Sequence, residues 1–303
     1  MFKTFPEFSK LTLADREEYE ALIKDFPPVS DISFVSQMLW WESIGEPVVS
    51  MLNDNLVVSY WIPGDERHSG LALVGTNNVD QSICAIFDYL RERGEEPRVV
   101  NVPEFVVNAI RYPELFRFKT DGSDDEYIIA SDRFATLERL PVYMRLRIKK
   151  FMQEHKDEQI MVRAVRLSSV KNRQLLIDCS EEWPLRGVNN MTKRGREALP
   201  ASVLSGAPLG VQCMGLFIQE VLQAYCLYFP TNDEQYITLA HARVNYDIPR
   251  IFDYMVHAFS SYLVSRNIRF ADIYSDNGSQ MMRTLKIALK PTGFFRKYMI
   301  EPV

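Results

Sequence analysis

A chain of 303 residues is long for one hydrophobic core and comfortable for two domains of about 150 residues each. Its 47% hydrophobic and 25% charged residues are ordinary for a globular protein, and a formal charge of −5 excludes a general electrostatic draw toward nucleic acid or anionic membrane. The polar, acidic start MFKTFPEFSKLTLADREE excludes a secretory signal, and four scattered cysteines (Cys84, Cys179, Cys213, Cys226) with no CxxC pair predict buried, reduced thiols in a cytoplasmic setting.

In chain order, Leu22, Ile23 and Phe26 share an apolar side, which predicts a helix over 12–26 with Asp15 as its cap and Pro27–Pro28 as its stop. The aromatic-dense FPPVSDISFVSQMLWW predicts a short second helix from Asp31 to Trp41, with Trp40 and Trp41 packing in the core or at its rim. Residues 48–131 then read as an apolar hairpin (PVVSML, NLVVSYWIP), the strand GLALVGTNN, the helix VDQSICAIFDYLRERG, the strand RVVNVPE, the helix FVVNAIRYPELF and the strand DEYIIAS. Ile83, Ile86, Phe87 and Leu90 give the first of these helices its apolar stripe, and Gly94 ends it.

Leu140–Lys150 (LPVYMRLRIKK) predicts a junction helix with Arg145, Arg147, Lys149 and Lys150, no acidic residue, and an apolar stripe of Met144, Ile148, Phe151 and Met152. A smaller basic cluster, Lys193, Arg194 and Arg196, falls in a loop-like stretch. Leu199–Gln219 carries no charge, but its prolines and glycines forbid a membrane-spanning helix. Residues 214–303 repeat the earlier series: the hairpin GLFIQEVLQAYCLYFPT, the strand QYITLAHARVN, a helix striped by Phe252, Met255, Phe259 and Tyr262, the strand FADIYSD, the helix QMMRTLKIALK and the strand FFRKYMIEPV. Strand–helix–strand is the crossover that makes a parallel pair, and a hairpin ahead of it adds antiparallel strands. The expected fold is α/β (α+β): two tandem mixed sheets flanked by helices, divided as 1–140 and 141–303, with the basic helix opening the second half. Such an internal duplication already supplies a pseudo-dimer, so a monomer is expected.

This order resembles the GNAT (acyl-CoA N-acyltransferase) fold, and two units in tandem resemble the family represented by the C-terminal domain of bacterial phosphatidylglycerol lysyltransferase. FPPVSDISFVSQMLWW is similar to that family's N-terminal signature, VGTNNVD to the end of its fourth strand, and YMRLRIKKF to its basic inter-domain helix. HARVNYDIPRIFDYM and YSDNGSQMMRTLKIALKPTGFFRKYMI are similar to its ending. The resemblance covers nearly the whole chain from about residue 20, while the membrane-embedded portion of the lipid-modifying enzymes has no counterpart in this sequence. It implies an acyl donor lying where the fourth and fifth strands splay apart.

That gap would lie near His241–Asn245 and Tyr274–Asp276 in the second copy. Aminolysis of a thioester or aminoacyl ester needs a base for the attacking amine and a donor for the developing oxyanion. His241 is a candidate base, or else a satisfied strand histidine; Asp276 is a candidate base, or the N-cap of the following helix. Arg243, Asn245, Tyr246 and Asn277 are candidate substrate contacts, with Asn77, Asn78 and Asp31 from the first copy. No His, Cys or carboxylate pair has metal-ligand spacing. The loop Asn245–Arg250 lacks the glycines that let backbone amides cradle a pyrophosphate and carries Pro249, which has no amide hydrogen. The expected donor is therefore aminoacyl-tRNA, bound through Arg145, Arg147, Lys149 and Lys150, with a small-molecule or peptide amine or hydroxyl as acceptor. An acyl-CoA-dependent N-acyltransferase and a non-catalytic binding module are the alternatives.

Overall fold

The structure is a computed structural model that describes residues 1–41, 47–60, 69–120, 122–183 and 207–303. Among these residues no helix is long and apolar enough to cross a membrane. The chain divides into two compact units, Met1–Tyr127 with Tyr274–Val303, and Ile128–Ile273. This departs from a division at 140/141, because each sheet takes one strand from the other half of the sequence.

The first unit holds helix α1 (Arg16–Ile23) and strands β1 (Ser9–Lys10), β2 (Val48–Leu52), β3 (Asn55–Tyr60) and β4 (Gly70–Val74). Helix α2 (Val79–Glu92), β5 (Val99–Pro103) and β6 (Phe116–Lys119) follow. The β2–β3 hairpin turns on Asn53 and Asp54, both with positive φ, the backbone that suits the right-handed twist of a two-residue loop. Ile83, Ile86, Phe87 and Leu90 bury against Val57, Leu73, Val99 and Val102, as their spacing requires. Cys84, on the opposite face of α2, is exposed, unlike the three buried cysteines. Thr12 and Asp15 cap the helical start together: the Asp15 carboxylate accepts from the Thr12 amide at 2.8 Å and from its hydroxyl at 2.7 Å.

The helix expected over FVVNAIRYPELF is only a turn at Glu104–Val107, followed by a 3-10 turn at Pro113–Leu115. The buried Asp80 carboxylate accepts the Arg111 amide at 3.0 Å and the Tyr112 amide at 2.8 Å, which draws the chain off the helical path.

In the second unit, DEYIIAS becomes β7 (Glu126–Ala130), whose Ile128, Ile129 and Ala130 lie beside the unit's own late strand. Then come helix α3 (Val142–Glu154), β8 (Ile160–Ala164), helix α4 (Val170–Glu182), β9 (Gln212–Ile218), β10 (Val221–Pro230), β11 (Tyr236–Val244), helix α5 (Ile251–Ser265) and β12 (Phe270–Asp272). The strands run β13 (Gly293–Phe295)–β7–β12–β11–β10–β9–β8; β11 and β12 are parallel, and the other pairs from β7 to β8 are antiparallel. Met255, Phe259 and Leu263 of α5 pack on Met214, Leu216, Cys226, Ile237 and Val244.

The chain then returns to the first unit through helix α6 (Gln280–Ala288), β13 (Gly293–Phe295) and β14 (Lys297–Pro302). Strand β14 inserts antiparallel between β5 and β6, giving the order β1–β2–β3–β4–β5–β14–β6. The expected last strands therefore do not stay with their copies: Lys297–Pro302 enters the first sheet as β14, Gly293–Phe295 stands in the second sheet's order as β13, and β7 of the first copy lies in that second sheet.

Candidate functional site

In the second unit, β11 pairs with β12 at only three positions, Tyr236↔Phe270, Ile237↔Ala271 and Thr238↔Asp272. Strand β12 ends at Asp272 while β11 continues to Val244, so the edge of β11 beyond Thr238 is no longer paired by β12. At that point β11 also bulges. Its register with β10 passes from Tyr228↔Leu239 to Leu227↔His241, leaving Ala240 unmatched.

The bulge decides where the side chains go. Ile237 and Leu239 face the α5 core, and so do Ala242 and Val244, three rather than two residues further on. His241 and Arg243 are therefore turned to the opposite face, in register with Leu227 and Tyr225 of β10. Alternation alone placed them together, but without the extra residue that shared face would have been the core face.

Neither group finds a partner there. His241 keeps some surface, but its Nε2 is fully enclosed and accepts or donates no hydrogen bond among the described residues. Burial first, and the neighbouring Arg243 second, lower its pKa to about 3, so the ring is neutral at physiological pH. Arg243 is 9% exposed; its Nε is enclosed without a partner, and burial lowers its pKa. Tyr225 and Tyr246 are its titratable neighbours, and burial raises both phenols. The Tyr225 hydroxyl points to the Leu176 carbonyl at 3.5 Å, whereas Tyr246 lies at the surface.

Asn245 is a turn residue. Its side-chain amide donates to Gln223 Oε1 at 3.0 Å, its Oδ1 accepts the Asp247 amide at 3.0 Å, and its carbonyl accepts the Ile248 amide at 3.1 Å. The Asp247 and Ile248 amides are thus used inside the turn. On α3, Arg147 donates to Asp253, in the first turn of α5, at 2.7 Å. Lys149 and Lys150 are exposed, Arg145 is half-buried, and none of the three forms an ion pair among the described residues. Met144, Ile148 and Phe151 are buried as expected, but Met152 is exposed. The Lys193, Arg194 and Arg196 cluster lies outside the described residues.

The remaining candidates belong to the first unit. Asp276 is buried and accepts from Tyr127 Oη at 2.6 Å, Arg283 Nε at 2.8 Å and the Gly278 amide at 2.9 Å. Burial opposes its charge, yet Arg283, Tyr127 and Gly278 prevail and hold its pKa below the ordinary carboxylate range. A carboxylate so fully occupied serves as an anchor for the start of α6 rather than as a base. His241 and Asp276, expected to act together, belong to different units. Asn277 sits in the left-handed region and accepts from Ser275 Oγ at 2.8 Å.

Asp31 and Glu126 both pair with the buried Lys297, Glu126 at 3.3 Å, while Glu126 also accepts the Ser30 amide at 2.7 Å and the Asp31 amide at 3.0 Å. Asn77 is stitched to the buried Asn55, whose Oδ1 accepts its amide at 2.9 Å, and Asn78, left-handed and exposed, precedes α2. Sequence reasoning missed Tyr225, Arg283 and Lys297. Arg283, seven residues beyond Asp276 on a predicted helix, left a readable signal; the other two depend on cross-strand register.

No family model and no curated protein matches the chain. Among solved structures, a conserved protein of unknown function from Bacteroides thetaiotaomicron is similar at TM-score 0.79 and 19% identity, covering 98% of this chain and 99% of that one. The C-terminal domain of a putative lysylphosphatidylglycerol synthetase from Agrobacterium fabrum is similar at TM-score 0.64 and 14% identity, over 95% of this chain and 92% of that one. L-PGS from Bacillus licheniformis is similar at TM-score 0.60 and 16% identity, with the same coverage. At such identities the likeness is one of fold. The chain therefore has the tandem GNAT-like fold that its resemblance to the phosphatidylglycerol lysyltransferase C-terminal family implies, two mixed sheets flanked by helices.

Proposed function

We propose that the second unit is the active half of an acyltransferase that moves an aminoacyl group from aminoacyl-tRNA to an amine or hydroxyl acceptor. The observation that carries this reading is the neutral, unpartnered His241 nitrogen on the face of β11 just past its last pairing with β12. In such a reaction the acceptor nitrogen or oxygen attacks the ester carbonyl. A new bond forms to that carbon, and the bond to the tRNA ribose oxygen breaks. His241 takes the acceptor's proton and returns it to the departing ribose oxygen, while the free edge of β11 or Arg243 faces the developing oxyanion. The inward-turned amides of the Asn245–Ile248 turn support a donor without a pyrophosphate, and Arg145, Lys149 and Lys150 supply phosphate contacts on α3.

The test is release of labelled amino acid from charged tRNA in the presence of a mixture of amine acceptors. Wild type should transfer label, His241→Ala should be slower by about 10²–10⁴-fold, and Arg145→Glu with Lys149→Glu should weaken tRNA binding and flatten its salt dependence. No transfer from any charged tRNA, together with a melting temperature raised by millimolar acetyl-CoA, would replace this reading with the acyl-CoA one.

A further inference from the structure

The buried cations of this chain are not treated alike. Lys297 is held by Asp31 and Glu126. Lys286 donates to the carbonyls of Tyr274 at 3.0 Å and Ser275 at 2.7 Å and lies 5.6 Å from the Tyr127 ring centroid. Arg283, half-buried, grips Asp276. Arg250 leaves its Nε enclosed but spends its Nη2 on Glu154. Arg243, 9% exposed against 6% for Lys286 and 3% for Lys297, forms no ion pair and no hydrogen bond among the described residues. Among the described residues the titratable groups about it are two tyrosines and His241, with no carboxylate.

A guanidinium largely removed from water, its Nε enclosed, without a counter-charge among the described residues is destabilising, and packed proteins rarely keep one for structure alone. Its position is not a by-product of core packing either. The bulge at Ala240 turns Arg243 and His241 away from the α5 core, onto the face they share with Tyr225, beside the part of β11 that β12 does not cover. From this we infer that Arg243 is an anion subsite, which receives the carboxylate or phosphate oxygens of a substrate on the Tyr225 face of β11.

The planar guanidinium suits two oxygens of one such group, and the surface-lying Tyr246 phenol stands ready as a further donor. The inference deepens the transferase reading, since it names a charge that the substrate of that site carries. It also links the two side chains: an anion on Arg243 cancels the repulsion that helps keep His241 unprotonated, so substrate binding would make the ring a better base.

Inorganic phosphate and acetate, at matched ionic strength, are the probes. With the full chain and no tRNA, at least one of them should raise the melting temperature saturably, by roughly 3 °C at tenfold excess over its dissociation constant. A response to phosphate alone assigns a phosphorylated substrate, and a response to acetate alone assigns a carboxylate. Arg243→Met should melt at the wild-type temperature or above it without ligand and should lose the anion response; Arg243→Lys should keep part of it. Three results would overturn the inference: no response to either anion in wild type, an undiminished response in Arg243→Met, or an Arg243→Met protein that melts lower or does not fold. The last would make Arg243 a structural residue. Because no acyl transfer is measured, an anion response in a protein that transfers nothing would leave this subsite standing and remove only the transferase reading.

Discussion

Lys297 and Arg243 are both buried cations on strands, one in each unit, and their surroundings are opposites. Lys297 opens β14 and meets two carboxylates, one from the Ser30–Ile32 turn and one from β7, so its charge helps fasten the last strand of the chain into the first sheet. Arg243, near the end of β11, meets none among the described residues. The contrast extends along the strands. In the first unit the region after β4 is closed by Asn55, Asn77 and Ser82 bonded to one another and by Asp80 capturing two amides. In the second unit the corresponding strand presents an enclosed imidazole nitrogen and an enclosed guanidinium Nε that have no partner among the described residues. One copy has settled its polar groups among themselves, and the other, on the anion-subsite proposal, holds them for something that binds.

The sharpest way to break this contrast is Lys297→Met. It strands Glu126, whose side chain is fully buried, together with Asp31, and should cost about 3–5 kcal/mol in urea unfolding, opposite in sign to the effect expected of Arg243→Met. Equal effects from the two substitutions would erase the distinction. Next in size is the acid limb of stability. The folded His241 pKa of about 3 lies below the unfolded value, so below about pH 6.5 the unfolded chain binds a proton that the folded chain refuses. The associated stability is complete above that pH and falls by about 2 kcal/mol on going from pH 7 to pH 5. His241→Gln should remove that component from the denaturation midpoints; identical acid slopes in both proteins would mean the ring is already solvated. The smallest effect belongs to Asn245→Ala, about 1 kcal/mol from loosening the turn, with the anion response of Arg243 intact. Loss of that response would extend the binding face into the turn.

Much of the fold was legible in residue pattern. The Ile83–Leu90 and Met255–Phe259 stripes and the PVVSML–NLVVSYWIP hairpin are local signals, and these elements stand where those signals put them. The exchange of final strands was not legible. DEYIIAS and FFRKYMIEPV read as strands whichever sheet receives them, because β pattern carries face but not neighbour. The helix after β5 was misread for a related reason: Asp80 reaches it from 31 positions away in sequence. The candidate site was half legible. His241 and Arg243 stand on one face, but only the bulge at Ala240 makes it the face away from the core, and nothing in HARVN announces a bulge. Asp276 looked catalytic because Arg283 and Tyr127, which occupy it, come from elements whose placement the sequence did not reveal.

The position of β14 has a consequence for biosynthesis. The first sheet needs residues 297–302 between β5 and β6, so a nascent chain that has emptied its first 127 residues from the ribosome still holds an unfilled slot. Vectorial folding, in which the N-terminal body finishes while the rest is translated, is closed to this topology. The second body is contiguous from Ile128 to Ile273 and its sheet awaits only the edge strand β13, so it is the freer to mature first, while the earlier-made one waits for a strand in its interior.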